Sequence, residues 1–394
     1  MWQKNLAKLI LKEGLVMISF NVPPYVGGEL DCIGNVINNH KICGDGEYTK
    51  KCSAFLEKET NTYRVLLTTS GTHALEMAAR LCSIKSGDEV IMPSFTFSST
   101  ANAFVQMGAR IAFIDIEPKT MNMDAKLIEA AINKNTRAIV PVHYAGIACD
   151  METILQIAKA YHLLVVEDAA QAVNASYKGK ALGTFGNYGC YSFHETKNYS
   201  MGEGGAILIN NQTDLERAEI LREKGTNRSK FFRGQIDKYS WVDYGSSYLP
   251  SELNAAYLYA QLEKFEEIND NRLASWNLYF NGLEKLAQVG HIELPFVPDG
   301  CKHNAHMFYI KAKDLEERTQ LITFLKEKGI ASAFHYVPLH SAPAGRRFGK
   351  FIGNDKYTTS ESNKLLRLPM YYGLTKEDIY TVISVIYDFY KTKY

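Results

Sequence analysis

The sequence predicts an α/β protein with a mostly parallel central sheet, helices on both of its faces, and a smaller α+β domain after it. Three observations carry this. Between Tyr63 and Leu221, short and nearly unbroken runs of Val, Ile and Leu alternate with amphipathic stretches. Strands buried on both faces and joined by crossover helices give that pattern. After about Ser240 the texture changes to long helical patterns with a few short strands. The chain has 394 residues, 46% of them hydrophobic and 22% charged, which is enough for two or three folding units and a deep pocket.

Residues 1–16, MWQKNLAKLILKEGLV, read as a short amphipathic extension outside the core fold. Lys8 and Lys12 interrupt the apolar stretch, and no small-residue cleavage site follows. The large domain is expected over residues 17–250 and the small one over 251–394. Strands are read at RVLLTTS (64–70), DEVIMP (88–93), RIAFIDI (110–116), RAIVPVHY (137–144), LLVVEDAA (163–170) and GAILIN (205–210). Between them, helices start at Thr72, at Asp124 and at Asp150; the two aspartates suit an N-cap. Residues 251–286 read as one long helix with a few interruptions. HMFYIKA (306–312), a helix at EERTQLITFLKEKG, ASAFHYVP (331–338) and a final helix from Lys376 complete the small domain.

Lys plus Arg total 44 and Asp plus Glu total 43, a balance that gives no sign of a nucleic-acid or anionic-membrane partner. No apolar run reaches the ~20 residues that span a bilayer. Seven cysteines stand singly, without C-x-x-C or a zinc-like Cys/His spacing. They read as small core residues in a reducing, cytoplasmic compartment, with no metal site.

Ligands of such sheets bind beyond the carboxyl ends of the strands, so the residues that follow each strand carry the chemistry. Asp168 ends an apolar strand. A buried carboxylate there needs a cation, a helix N-terminus or a metal. Glu167 beside it points to the opposite side. Lys197 follows the strand-like CYSF, ahead of the glycine turn GEGG, which permits close backbone approach. Gly71 and Thr72 open a helix directly after a strand, where free amides and the helix dipole attract phosphate. An ordinary N-cap is the alternative reading of Ser70 or Thr72. Phe97 in PSFTFSST can cover a planar ring or simply pack in the core. Ser192, His194 and Gln171 flank the same strand ends.

An amine, a carboxylate, a phosphate cradle and an aromatic cover are what pyridoxal 5'-phosphate needs from a protein. A nicotinamide enzyme would show G-x-G-x-x-G after its first strand, and that motif is missing there.

The order S-G-T, P-S-F-T-F, E-D-A-A-Q-A, S-F-H-x-x-K-N with G-E-G-G, then H-Y-V-P-L-H resembles the DegT/DnrJ/EryC1/StrS sugar aminotransferases, from about Ile18 to the C-terminus. FHETKN, WVDYGSSYLPSELNAAYLYAQLE and FHYVPLHSAPAG are most similar to the members that make dTDP-4-amino-4,6-dideoxy-D-galactose for enterobacterial common antigen. The resemblance implies a fold-type I aminotransferase, a homodimer with shared active sites, and L-glutamate as donor with 2-oxoglutarate as its product. The acceptor it implies is dTDP-4-dehydro-6-deoxy-D-glucose. It makes Lys197 the Schiff-base lysine and proton shuttle, and Asp168 the partner of the pyridine nitrogen. Gly71, Thr72 and Ser192 hold the phosphate, Phe97 stacks on the ring, and Gln171 contacts its substituent. His194 lies near the cofactor, and His335, Tyr336 and His340 lie near the sugar. Many relatives place an asparagine of the partner subunit on the phosphate; here Leu249 falls at that position, with Ser246, Ser247 and Tyr248 as replacements. The arginine for the donor carboxylate stays open, with Arg228 and Arg233 as candidates. Some relatives are dehydratases in which a histidine replaces the lysine; here the lysine is present. A non-catalytic sensor is the further alternative.

Overall fold

A computed structural model describes residues 17–393; the extension expected over residues 1–16 lies outside the described residues. Strands β1 (Arg64–Thr68), β2 (Glu89–Pro93), β3 (Arg110–Ile114), β4 (Thr136–Ile139) and β5 (Leu164–Asp168) come first. The short pair β6 (Ser176–Tyr177) and β7 (Lys180–Ala181) follows, then β8 (Tyr188–Ser192) and β9 (Gly205–Ile209). The remainder are β10 (Cys301–Lys302), β11 (Phe308–Lys311), β12 (Ala333–Phe334), β13 (Gly349–Phe351) and β14 (Leu365–Leu368).

Eight strands form the main sheet in the order β1-β9-β8-β5-β4-β2-β3-β13. Only β9 runs against the others: it is antiparallel to β1 and β8, whereas the pairs from β8 through β13 are parallel. The unbroken apolar runs are explained by two-sided burial. Val90 and Met92 face one core together with Leu75 and Phe104, while Ile91 faces another with Ile128 and Ile154. Leu66 and its neighbours Val65 and Leu67 divide in the same way. Alternation thus persists along each strand, but both faces are apolar.

A further core lies around the helices Phe265–Gln288, Leu315–Glu327 and Lys376–Lys393 and the sheet β11-β14-β12. The chain beyond residue 250 also serves the large sheet in two places. Ala255, Ala256 and Leu258 of the helix Glu252–Leu262 pack with Val36, Leu56 and Leu67. Strand β13 extends the main sheet by pairing with β3. The long helix read over 251–286 is two helices, Glu252–Leu262 and Phe265–Gln288, broken at Glu263 and Lys264. The helix read from Asp124 is a 3-10 turn, Ala125–Leu127, followed by one α-turn, Ile128–Ala131. Asp150 caps Met151–Ala160 as expected, accepting from the Thr153 amide at 3.2 Å. No helix among the described residues is long and apolar enough to cross a membrane.

Candidate active site

The carboxyl ends of β1, β5 and β8 open on one cavity of about 500 Å³. Ser70, Gly71 and Thr72 enter it after β1, Asp168 and Gln171 at the end of β5, and Ser192, His194 and Lys197 after β8. Phe97, His335 and Tyr336 also line it.

Asp168 is buried. Its Oδ2 accepts from the Thr100 hydroxyl at 2.6 Å and its Oδ1 from the Ala170 amide at 3.2 Å. Burial raises its carboxyl above the ordinary value; those two donors and the charge of Lys197 pull it back down. Burial lowers the Lys197 amine to about 8, against the opposing pull of Asp168. The two groups therefore face one cavity and share its field.

The helix Gly71–Leu81 points its N-terminus into the same space, and the amides of its first turn have no acceptor inside the helix. Ser70 is the N-cap, accepting from the His73 amide at 3.0 Å, as the alternative reading of this junction expected. The Thr72 hydroxyl meets Ser99 at 2.8 Å. A Cβ on Gly71 would stand 2.8 Å from the Ser192 Cβ, so only glycine lets the helix start approach β8 this closely. Phe97 keeps 59% of its surface exposed at the cavity. An aromatic ring left bare there suits a planar ligand. An amine, a buried carboxylate, a dipolar anion cradle and a bare aromatic face thus fit pyridoxal phosphate.

The remaining expected residues divide. Gln171 is spoken for at both ends: its Oε1 accepts from the Ala145 amide at 2.7 Å and its Nε2 donates to the Tyr336 hydroxyl at 3.1 Å. His335 lines the cavity and meets the Tyr144 hydroxyl at 3.0 Å. Burial holds its imidazole well below the usual value, and therefore neutral. His194 sits beside Thr196 at 3.0 Å and Glu203 at 3.5 Å. His340 does not line this cavity: its ring is held between Ser94, at 2.7 Å, and Asp355, at 3.2 Å. It anchors the 335–341 segment to the end of β2. Tyr248 is buried, with its hydroxyl engaged by Arg80 and Glu76 at 3.1 and 3.3 Å, while Ser247 and Leu249 line a separate cavity.

Among the cavity residues missed in the sequence, three bear on the chemistry. His306 bonds Asn198 at 3.0 Å, and burial keeps it neutral. Thr100 was hidden in the polar run FSST, which opens the helix Ser98–Val105, and Arg367 in the apolar run LLRLP. A lone arginine in an otherwise apolar strand was the available signal for the last.

Comparison with known proteins agrees with this geometry. The family model of the DegT/DnrJ/EryC1/StrS aminotransferases matches residues 28–387. The GDP-perosamine synthase of Caulobacter vibrioides is 31% identical over 379 residues, covering 94% of this chain and 98% of the relative. A pleiotropic regulatory protein of Geobacillus stearothermophilus is 34% identical over 349 residues, covering 88% of this chain and 90% of the relative. The solved Spr1654 of Streptococcus pneumoniae, in its PLP form, superposes with a TM-score of 0.87 at 25% identity, covering 96% of this chain and 99% of that one. The chain belongs to the DegT/DnrJ/EryC1/StrS aminotransferase family and is a pyridoxal phosphate-dependent enzyme.

Proposed function

We propose that the protein moves the amino group of L-glutamate to C4 of dTDP-4-dehydro-6-deoxy-D-glucose. The products are dTDP-4-amino-4,6-dideoxy-D-galactose and 2-oxoglutarate. The observation that carries an aminotransferase reading is the convergence of Lys197 and Asp168 on one cavity beside a free helix N-terminus. The sugar and its nucleotide rest on the likeness of FHETKN and FHYVPLHSAPAG to enzymes of that specificity. A relative named for GDP-perosamine supports a nucleotide-linked amino sugar as the product class.

When bound, pyridoxal phosphate supplies an electron sink and a carbonyl carbon on which the amino group is stored between the two substrates. The chain supplies the rest. Lys197 holds the cofactor. Its Nζ, lowered to about 8, can also take the donor's α-proton and return a proton to one face of the sugar's C4. Asp168, its carboxylate fixed by Thr100, would keep a proton on the pyridine nitrogen through its negative charge. The amides of Gly71 and Thr72, with the hydroxyls of Thr72 and Ser192, bind the phosphate. Phe97 would cover the ring, and Gln171 and Tyr336 line the same cavity. His335 stays neutral and offers a hydrogen bond to the sugar. The working form is a cytoplasmic homodimer.

Incubation with L-glutamate and a set of dTDP- and GDP-linked 4-keto-6-deoxy sugars tests this. Release of 2-oxoglutarate together with a 4-amino sugar is expected with the dTDP substrate, and Lys197→Ala should abolish it. Turnover with none of them would sink the reading. The regulatory relative gives a second reading, a cofactor-binding protein without turnover. Cofactor bound without conversion of glutamate would favour it.

A further inference from the structure

Among the described residues, Arg367 is a charged group of the cavity that no carboxylate pairs. Leu366 and Leu368 of β14 turn into the core of the small domain, and alternation sends Arg367 to the other face, where it lines the cavity with Lys197. A guanidinium carries five N–H donors and stays charged. Arg367 makes one long hydrogen bond, from Nη2 to the Phe334 carbonyl at 3.4 Å, and its Cζ lies 4.7 Å from the ring centre of Phe20. Its Nε is buried without an acceptor. The neutral hydroxyls of Tyr144 and Tyr336 are its polar neighbours.

Arg272 shows what a buried structural arginine looks like in this fold. It donates to the carbonyls of Ala305, His306 and Met370. Arg228 and Arg233 are also committed: Arg233 grips Glu219 at 2.8 and 2.9 Å, and Arg228 lies 3.7 Å from Glu223. Both line the separate cavity of about 940 Å³.

An unpaired, partly buried cation is costly unless an anion completes it. We propose that Arg367 binds the α-carboxylate of the amino-acid donor. The position follows from the chemistry of the donor. Its α-carboxylate is bonded to the carbon that loses the proton, so its binding group must adjoin the base, and Lys197 senses the charge of Arg367. The diphosphate of a nucleotide sugar sits on C1, across the ring from C4, and belongs farther from Lys197. Arg367 thereby selects an α-amino acid over a simple amine. This rests on the proposed use of an amino-acid donor.

The test uses the cofactor-loaded enzyme and the variants Arg367→Gln, Arg367→Lys and Arg367→Met. Arg367→Gln should raise the KM for L-glutamate roughly 100-fold, the loss of a bidentate charged pair, and Arg367→Lys should recover part of it. Wild-type enzyme should prefer L-glutamate to 4-aminobutyrate, which lacks the α-carboxylate, by a similar factor; Arg367→Gln should lose most of that preference. Calorimetric binding of α-methyl-L-glutamate, which cannot lose an α-proton, should weaken in step. Arg367→Met should raise the Tm of the donor-free enzyme, because it removes an uncompensated charge; a structural arginine would lower it. An unchanged KM for L-glutamate with an unchanged donor preference overturns the inference alone. So does a defect confined to the keto-sugar half-reaction. Wild-type enzyme inert to every amino acid overturns the proposed function as well.

Discussion

Glu167 and Asp168 are neighbours on one buried strand, yet their surroundings are opposite. Glu167 faces away from the cavity and is saturated. Its Oε1 accepts from the Phe185 and Gly186 amides at 2.6 and 2.7 Å; its Oε2 accepts from the Gly183 amide at 2.8 Å and meets His143 at 2.9 Å. Asp168 faces the cavity with one hydroxyl and one amide donor, and burial raises its carboxyl. The difference teaches how to tell a structural carboxylate from a chemical one. The first has its oxygens answered by three backbone amides and an imidazole, whereas the second is left short of partners on the side where a ligand goes.

Asp168→Asn should break this contrast with the largest effect. Asparagine keeps the shape but loses the charge that holds a proton on the pyridine nitrogen. A fall in kcat/KM of about 10³-fold or more is expected, comparable to the loss of a preorganised electrostatic group, with little change in Tm. A loss of only a fewfold, read by coupled 2-oxoglutarate release, would move the pyridine partner elsewhere. Glu167→Gln should do the reverse. Its amide would turn a donor toward backbone donors, costing about 3 kcal/mol of stability. The folded enzyme should keep kcat within threefold. Urea unfolding and kcat measured side by side separate the two variants.

Much of this contrast was legible in the sequence, because strand periodicity alone puts adjacent side chains on opposite faces, and a polar pair closing an apolar strand stands out. The main strands were legible for the same reason, their two-sided burial leaving long apolar runs. What stayed hidden depends on docking between segments far apart in the chain. Strand β13 is three residues long and exists because it pairs with β3. The break at Glu263 and Lys264 carries no glycine or proline to announce it. The family resemblance put His340 near the sugar, whereas the 3-10 turn Leu339–Ser341 holds its ring against Ser94, outside the lining of this cavity. Arg367 could not be placed without knowing which face of β14 meets the cavity.

Thr100 sharpens the contrast at smaller scale. It is fully buried, donates to Asp168 and meets Thr96 at 2.7 Å. Thr100→Val keeps the volume and removes the donor that favours the ionised carboxylate. The Asp168 carboxyl should rise further, and kcat/KM should fall about tenfold, the worth of one hydrogen bond to a charged group. The acid limb of the pH–rate profile should move to higher pH. An unmoved limb would mean that the Thr100 bond does not hold Asp168 ionised.

The smallest effect is a shift in titration, measured on cofactor-free protein. Lys197 stands at about 8 when folded, against 10.5 for an unperturbed lysine. Below about pH 8 the amine is charged in both folded and unfolded chains, and the cost of burying that charge is borne in full. Between 8 and 10.5 the folded chain has released a proton that the unfolded chain still holds, so stability rises with pH through that window and levels off above it. Only the neutral amine attacks an aldehyde, so the rate of pyridoxal phosphate uptake should rise with pH about a midpoint near 8. The charge of Asp168 raises the Lys197 value. Asp168→Asn should therefore lower the midpoint, by less than the difference that burial makes. Glu167 is not among the charges that act on Lys197, so Glu167→Gln should leave the midpoint in place. Equal shifts in the two variants would mean that the strand does not insulate its two faces, and that the separation of a structural from a chemical carboxylate fails at its first electrostatic consequence.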